Sequence, residues 1–224
     1  MPEPDVIAQA RLVYEQLQDR ALSATPLAEM PQWIASGAPP RAPLLRSQGF
    51  TFEGGPDAAE LRLARKAFTR RWGFSIPCAE AVERLADLGP LVEVGAGTGY
   101  WTAMLLGAGL DAVATDPAPD TNPYGFRTGA RANVIRIDAL TAVQTYPERS
   151  VLCSWPTEGS DWLTQALAAT AKGAKLAMVG CGRGGSTGND SLYDLLDAEF
   201  ELLETVTIPQ FPGVSDNLTV YERA

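Results

Sequence analysis

The chain's most chemically suggestive stretch is Glu93-Val94-Gly95-Ala96-Gly97-Thr98-Gly99, followed directly by Tyr100 and Trp101. Glycines reach backbone angles closed to other residues and leave the main chain bare. A ligand can then lie against amide groups at the N-terminus of the helix that follows. The run sits behind an apolar strand-like segment and ahead of a helical one, the junction at which nucleotide-like molecules are held. Carboxylates stand at the ends of the next two apolar runs, Asp116 behind Val113-Ala114-Thr115 and Asp138 behind Ile135-Arg136-Ile137. Each is suited to accept hydrogen bonds from hydroxyl or amino groups, the alternative for each being a helix cap or surface charge.

Glycine spacing separates two ligand classes. A dinucleotide fingerprint runs Gly-x-Gly-x-x-Gly, with a small third residue where helix and strand close around a pyrophosphate. Counted from Gly95, that position is Tyr100, which disfavours an NAD(P)-dependent oxidoreductase. The alternative spacing, Glu/Asp-x-Gly-x-Gly-x-Gly, is met by Glu93, Gly95, Gly97 and Gly99. On these residues the chain resembles the class I, Rossmann-like S-adenosylmethionine-dependent methyltransferases, over residues 73–224. Gly73-Phe74-Ser75-Ile76-Pro77, Ser154-Trp155-Pro156 and Gly182-Arg183-Gly184-Gly185 are similar to a bacterial group within that family, a match that names no substrate.

The resemblance implies S-adenosyl-L-methionine as cofactor and S-adenosyl-L-homocysteine as product. It implies an α/β fold with a seven-stranded, mostly parallel sheet and an antiparallel last strand pair. Asp116 would bind the ribose hydroxyls, and Asp138 with Ala139 the adenine. Glu93 would orient the loop or reach the methionine part. Gly95, Ala96, Gly97, Thr98 and Gly99 would carry the cofactor, with Tyr100, Trp101, Phe74 and Ser154 around it. Each of the three aromatic residues also reads as core.

Ligands of open parallel sheets lie beyond the carboxyl ends of the strands, and Cys153-Ser154-Trp155-Pro156 falls there. In amine- and base-modifying relatives this position carries Asn/Asp-Pro-Pro-aromatic. The order differs here and the amide or carboxylate is missing, so amine specificity does not transfer. Trp155 is the expected acceptor contact and Glu158 a candidate for substrate positioning, while Glu158 and Asp161 also suit the start of a helix near 160. The stretch from Arg183 to Asp190 either shapes the acceptor pocket or ends in a helix cap at Asn189 or Asp190. Methyl transfer from a sulfonium is an in-line displacement, so the protein has mainly to align the reacting atoms and exclude water. The sequence has no histidine, which removes the commonest neutral-pH base and the commonest metal ligand. No metal is expected, and carboxylate or amine acceptors are favoured over hydroxyls. A cofactor-binding subunit without catalysis would carry the same residues.

The elements that must position these groups follow from periodicity. Apolar runs at 91–94, 110–115, 133–137, 150–154 and 174–180 alternate with helical stretches at 99–107, 159–172 and 189–198. The segment between the third and fourth runs has no clear assignment. Runs at 200–208 and 217–222 follow with only a Pro/Gly loop between them and should pair antiparallel. Ahead of the sheet, a helix from Cys78 to about Leu88 ends at Gly89-Pro90. Residues 1–75 read as an extension or lid, comprising an amphipathic helix over 5–22, an irregular connection over 23–56 and a helix over 57–72. Residues 76–224 read as the cofactor-binding domain. On the 57–72 helix Arg62, Arg65, Lys66 and Arg70 share one side.

Eighteen basic against 27 acidic side chains give a net charge of −9, a field that repels nucleic acid and anionic membranes and favours a small-molecule or short-peptide substrate. Cys78, Cys153 and Cys181 are too widely spaced for a disulfide framework or zinc site and read as reduced thiols. With neither a basic leader nor an apolar run of membrane length, the expected location is cytoplasmic. Oligomeric state is not legible.

Overall fold

Leu91–Val94 (β1) is buried at all four positions, because helices cover both faces of the sheet it belongs to. The computed structural model describes residues 69, 72–119, 132–210 and 213–224. The expected helix over 5–22, the connection over 23–56 and the basic face of Arg62, Arg65, Lys66 and Arg70 lie outside them. After helix α1 (Ala79–Ala86) and β1 come α2 (Tyr100–Gly107), β2 (Ala112–Thr115), β3 (Val134–Ile135), α3 (Ala139–Thr145) and β4 (Ser150–Ser154). Then follow α4 (Trp162–Ala168), β5 (Lys175–Gly180), α5 (Asp190–Glu199), β6 (Phe200–Thr207) and β7 (Asn217–Arg223). No helix among the described residues is long and apolar enough to cross a membrane.

Successive strand side chains point to opposite faces, and the core divides accordingly. Val92, Val94, Val151, Cys153, Leu176 and Met178 pack on one face against α3, α4 and α5, through Val143, Leu163, Leu167, Leu192 and Leu196. Leu91, Leu152, Ala177 and Val179 pack on the other with Val82 and Leu85 of α1 and Trp101 and Leu105 of α2. The strands run in the order β3-β2-β1-β4-β5-β7-β6. The first five are parallel and β7 lies antiparallel to both β5 and β6. The chain winds outward from β1 through β2 to β3 and then returns to the other side of β1, so a crevice opens at the carboxyl ends of β1 and β4.

Four elements differ from their sequence outlines. β2 begins at Ala112, since the Leu110 amide turns back to the Leu105 carbonyl at the end of α2. β3 keeps two residues, because the Ile137 amide bonds to Ile135 and the chain leaves the ladder. The unassigned segment is α3, whose start Asp138 caps. α4 is shorter than 159–172, with a turn before it (Ser160 amide to Thr157) and tightened bonds after it (Ala169 to Ala166, Thr170 to Leu167).

Arg223, at the end of β7, occupies the carboxyl end of α4. Its guanidinium donates to the carbonyls of Leu167 at 3.0 Å, Ala168 at 3.1 Å and Thr170, and pairs with Glu199. The last carbonyls of a helix lack α-helical partners; the Leu167 carbonyl already takes Thr170, and the charged donor adds to it, reaches the carbonyls beyond and complements the helix dipole. Arg223→Ala should lower unfolding stability by about 2 kcal/mol. Arg223→Lys should recover less than half of that loss, for want of a planar fork. Urea denaturation measures both, and an unchanged midpoint in Arg223→Ala would contradict the assignment.

Candidate functional site

Glu93 alternates with Val92 and Val94 and therefore faces α2. It is 2% exposed, and its Oε2 accepts from the Thr102 amide at 2.9 Å and the Thr102 hydroxyl at 2.6 Å. That amide belongs to the first turn of α2, where no intrahelical carbonyl is available. Burial pushes the Glu93 carboxyl up to about 7, against the lowering effect of the Thr102 bonds, and the Asp116 charge adds to the rise. The Glu93 carbonyl takes the Thr115 hydroxyl at 2.9 Å, joining the ends of β1 and β2.

Between β1 and α2 the glycine loop is held by its own main chain. The Ala96 amide bonds to Thr115 and the Gly99 amide to Ala96, while the Thr98 hydroxyl donates to the Trp72 carbonyl. All three glycines have positive φ, but their surroundings differ. A Cβ on Gly95 would lie 2.8 Å from the Trp162 ring, and one on Gly99 3.0 Å from Val134. At Gly97 a Cβ would meet nothing within 4 Å. Two glycines thus permit close packing of α4 and β3 on the loop, and the third leaves bare main chain facing open space.

Asp116 stands beside that open position. It is half-buried, its Oδ2 accepting from the Gly97 amide at 2.9 Å and its Oδ1 from the Ala118 amide at 2.8 Å. With one bond on each oxygen, both retain a lone pair for a further donor. Asp138 is exposed and caps α3. Its carboxyl is held below the usual range by the Thr141 amide at 2.8 Å and hydroxyl at 2.9 Å. Ala139 is buried in the first turn behind it.

Of the aromatic residues flanking the loop, Tyr100 and Trp101 turn inward. Both are 2% exposed; Tyr100 packs on Trp72 with centroids 5.9 Å apart, and the Trp101 indole donates to Ser75 Oγ at 2.9 Å. Ser75 in turn lies 2.9 Å from Ser154 Oγ, which ties the segment ahead of α1 to the end of β4. Phe74 faces Trp155 instead, the rings stacked at 5.0 Å and 15°. Trp155 follows β4 with φ 59°, its amide bonded to the Val179 carbonyl and its indole N–H donating to Asp216 Oδ2 at 2.9 Å.

Glu158 is exposed on the turn after Trp155. Asp161 accepts from Ser191 and Asn189, both at 2.5 Å, and those bonds hold its carboxyl below the usual range. It therefore links the loops behind β4 and β5, a link repeated by the Gly188 amide on Pro156 and the Gly159 amide on Gly188. Asn189 caps α5 by accepting from the Leu192 amide, and Arg183 is drawn back onto Asp194 and Asp197. Cys78 and Cys153 are buried free thiols, the first pushed up to about 12 and the second well above its ordinary value, both by burial first.

Sequence reasoning gave no role to Thr102, Ser75 or Asp216. Thr102 is legible afterwards as a hydrogen-bonding residue nine positions beyond Glu93, near the helix start. Asp216 is 61 residues from Trp155, and nothing in linear spacing joins them.

The Glu93 carboxyl has a pH consequence. The unfolded chain releases this proton near 4.5 and the folded protein near 7, so the folded state binds more protons between those values. Stability should therefore fall as pH rises through that window, by about 3 kcal/mol in all, and level off above it. Glu93→Gln should remove this part of the slope. Thermal unfolding of both proteins from about pH 5 to pH 8 tests it, and parallel slopes would contradict it.

No family model matches the chain, and no curated protein does. Solved structures with a similar backbone include an rRNA methylase from Streptococcus thermophilus, 14% identical, with 65% of this chain and 95% of that one aligned at a TM-score of 0.41. Magnesium protoporphyrin IX methyltransferase from Synechocystis PCC 6803 with bound SAM is 14% identical over 77% of this chain and 86% of that one, with a TM-score of 0.42. A Burkholderia thailandensis 1,6-didemethyltoxoflavin-N1-methyltransferase, with its substrate and S-adenosylhomocysteine bound, is 17% identical over 65% and 77%, with a TM-score of 0.41. With five parallel strands wound outward from β1, an antiparallel β7 inserted between β5 and β6, and a glycine loop joining β1 to α2, the chain has the seven-stranded, mostly parallel Rossmann-like α/β fold expected from its sequence.

Proposed function

We propose that this chain is an S-adenosylmethionine-dependent methyltransferase of the cytoplasm, acting on a carboxylate, amine or hydroxyl of a small molecule or short peptide. The observation that carries the reading is the open main chain at Gly97 with the Asp116 carboxylate beside it. Open main chain ahead of a helix N-terminus and a carboxylate with spare lone pairs suit a nucleoside with neighbouring hydroxyls. Gly95 to Gly99 and Asp116 would hold the cofactor, Asp138 would stand at its adenine end, and Glu93 would support the loop from beneath. When bound, the cofactor supplies an electrophilic methyl group on a sulfonium.

The protein's own share is alignment and exclusion of water. Trp155 and Phe74 present a stacked aromatic pair at the carboxyl edge of the sheet, where an acceptor would meet the methyl group. Glu158 stands exposed at the same edge, a carboxylate able to take a proton or attract a cationic acceptor. The net charge of −9 favours a small acceptor over a polyanion.

Titration calorimetry with S-adenosylhomocysteine should show one site. Asp116→Ala should weaken it about 10- to 100-fold, the equivalent of losing one or two hydrogen bonds to a charged acceptor. Absent binding, or binding unchanged by Asp116→Ala, would overturn the reading. Transfer of labelled methyl from S-adenosylmethionine should then be screened over small carboxylates, amines, phenols, short peptides and tRNA. Label in tRNA would overturn the small-acceptor assignment, and tight cofactor binding without transfer in any arm would support a non-catalytic subunit.

A further inference from the structure

Trp155 is the sole non-glycine residue with positive φ among those described. Such a conformation is costly for a bulky side chain and persists where the surroundings over-determine it, commonly at ligand clamps. Among the contacts of Trp155 with the described residues, three restrain it: its amide on the Val179 carbonyl, its ring on Phe74, and its indole N–H on Asp216. The third comes from the connection between β6 and β7.

Asp216 is 1% exposed, and its carboxylate joins two groups of the acceptor edge, Oδ2 accepting from the Trp155 indole at 2.9 Å and Oδ1 from the Cys181 thiol at 3.2 Å. Its carbonyl accepts from Gln210 Nε2 at 2.9 Å, so the connection braces its own carboxylate. Burial first, and then Asp216, push the Cys181 thiol up, which keeps the proton that makes it a donor. An indole N–H could be satisfied by any carbonyl. A buried carboxylate gives a stronger, more directional bond, and direction is what fixes a ring plane.

We propose that Asp216 is a positioning residue of the acceptor site: through the Trp155 indole N–H it sets the plane of the ring against which the methyl acceptor is aligned. The proposal rests on the methyltransferase reading above. It extends the site to the β6–β7 connection, which the cofactor-binding residues do not include.

The test uses the full chain as Asp216→Ala, Asp216→Asn and Trp155→Phe. The Trp155 indole cross-peak in a ¹H–¹⁵N spectrum is identified by its loss in Trp155→Phe. In Asp216→Ala it should move upfield and lose protection from exchange, while Asp216→Asn, whose amide oxygen still accepts, should keep it close to its original position. With the acceptor found in the screen, Asp216→Ala should lower kcat/KM about 10- to 100-fold. Its S-adenosylhomocysteine affinity should stay within about twofold, and Asp216→Asn should recover most of the activity. An unmoved cross-peak in Asp216→Ala overturns the proposal. So does full activity in that variant, or an equal loss of activity and cofactor affinity in both variants. Failure of the wild type to bind S-adenosylhomocysteine would instead overturn the methyltransferase reading, and the cross-peak would still decide whether Asp216 holds Trp155.

Discussion

A carboxylate sealed between strand and helix sets the rest of the site. Glu93 lies under the N-terminus of α2 with Oε2 bonded to both the amide and the hydroxyl of Thr102. Desolvating a carboxylate is costly, and the cost is reflected in the raised pKa. What the arrangement achieves is a fixed distance between the end of β1 and the first turn of α2. The glycine loop spans that gap, and apart from the Thr98 hydroxyl on the Trp72 carbonyl its described bonds are made by main chain alone. Were the helix free to slide along the sheet, the Gly97 amide would lose its position opposite Asp116.

Asp116 continues the same principle one strand further out. It bridges the Gly97 and Ala118 amides, so the loop behind β1 and the turn behind β2 share one carboxylate. The remaining main-chain bonds converge there too, with Ala96 on Thr115 and the Asp116 amide on Ile135. Three parallel strands therefore end in a single hydrogen-bonded rim, and Gly97 is the glycine on it whose missing side chain leaves open space. Preorganisation of this kind spares a ligand the entropy of ordering its own site.

Much of this was legible in the sequence because it is local. The alternation of apolar runs located the strands, and the spacing of Glu93, Gly95, Gly97 and Gly99 located the loop, since each depends on residues a few positions apart. Tyr100 and Trp101 show the limit of that reading. Adjacency to the loop suggested contact with a ligand, but both point into the core, because the first turn of an apolar helix is packed against the sheet. Asp138 illustrates a different ambiguity, as its carboxylate caps α3, which the sequence had left unassigned. The Asp161 tie to Asn189 and Ser191 and the Asp216 bond to Trp155 escaped altogether. Both join loops that meet only once the sheet is assembled.

The antiparallel insertion of β7 explains why the most distant of these contacts is possible. In a purely parallel sheet every strand begins at the edge opposite the crevice, so the residue ahead of a strand is far from bound ligand. β7 runs the other way, with Asn217 paired to Gly180 at the carboxyl end of β5. The residue preceding β7 is thereby delivered to the same edge as Cys181 and Trp155, and that residue is Asp216. β6 ends there as well, Thr207 pairing with Asn217, so the β6–β7 connection begins and ends at the carboxyl edge of β5. One reversed strand thus carries a distal hairpin to the carboxyl edge of the sheet and brings a carboxylate to a tryptophan 61 residues away in the chain.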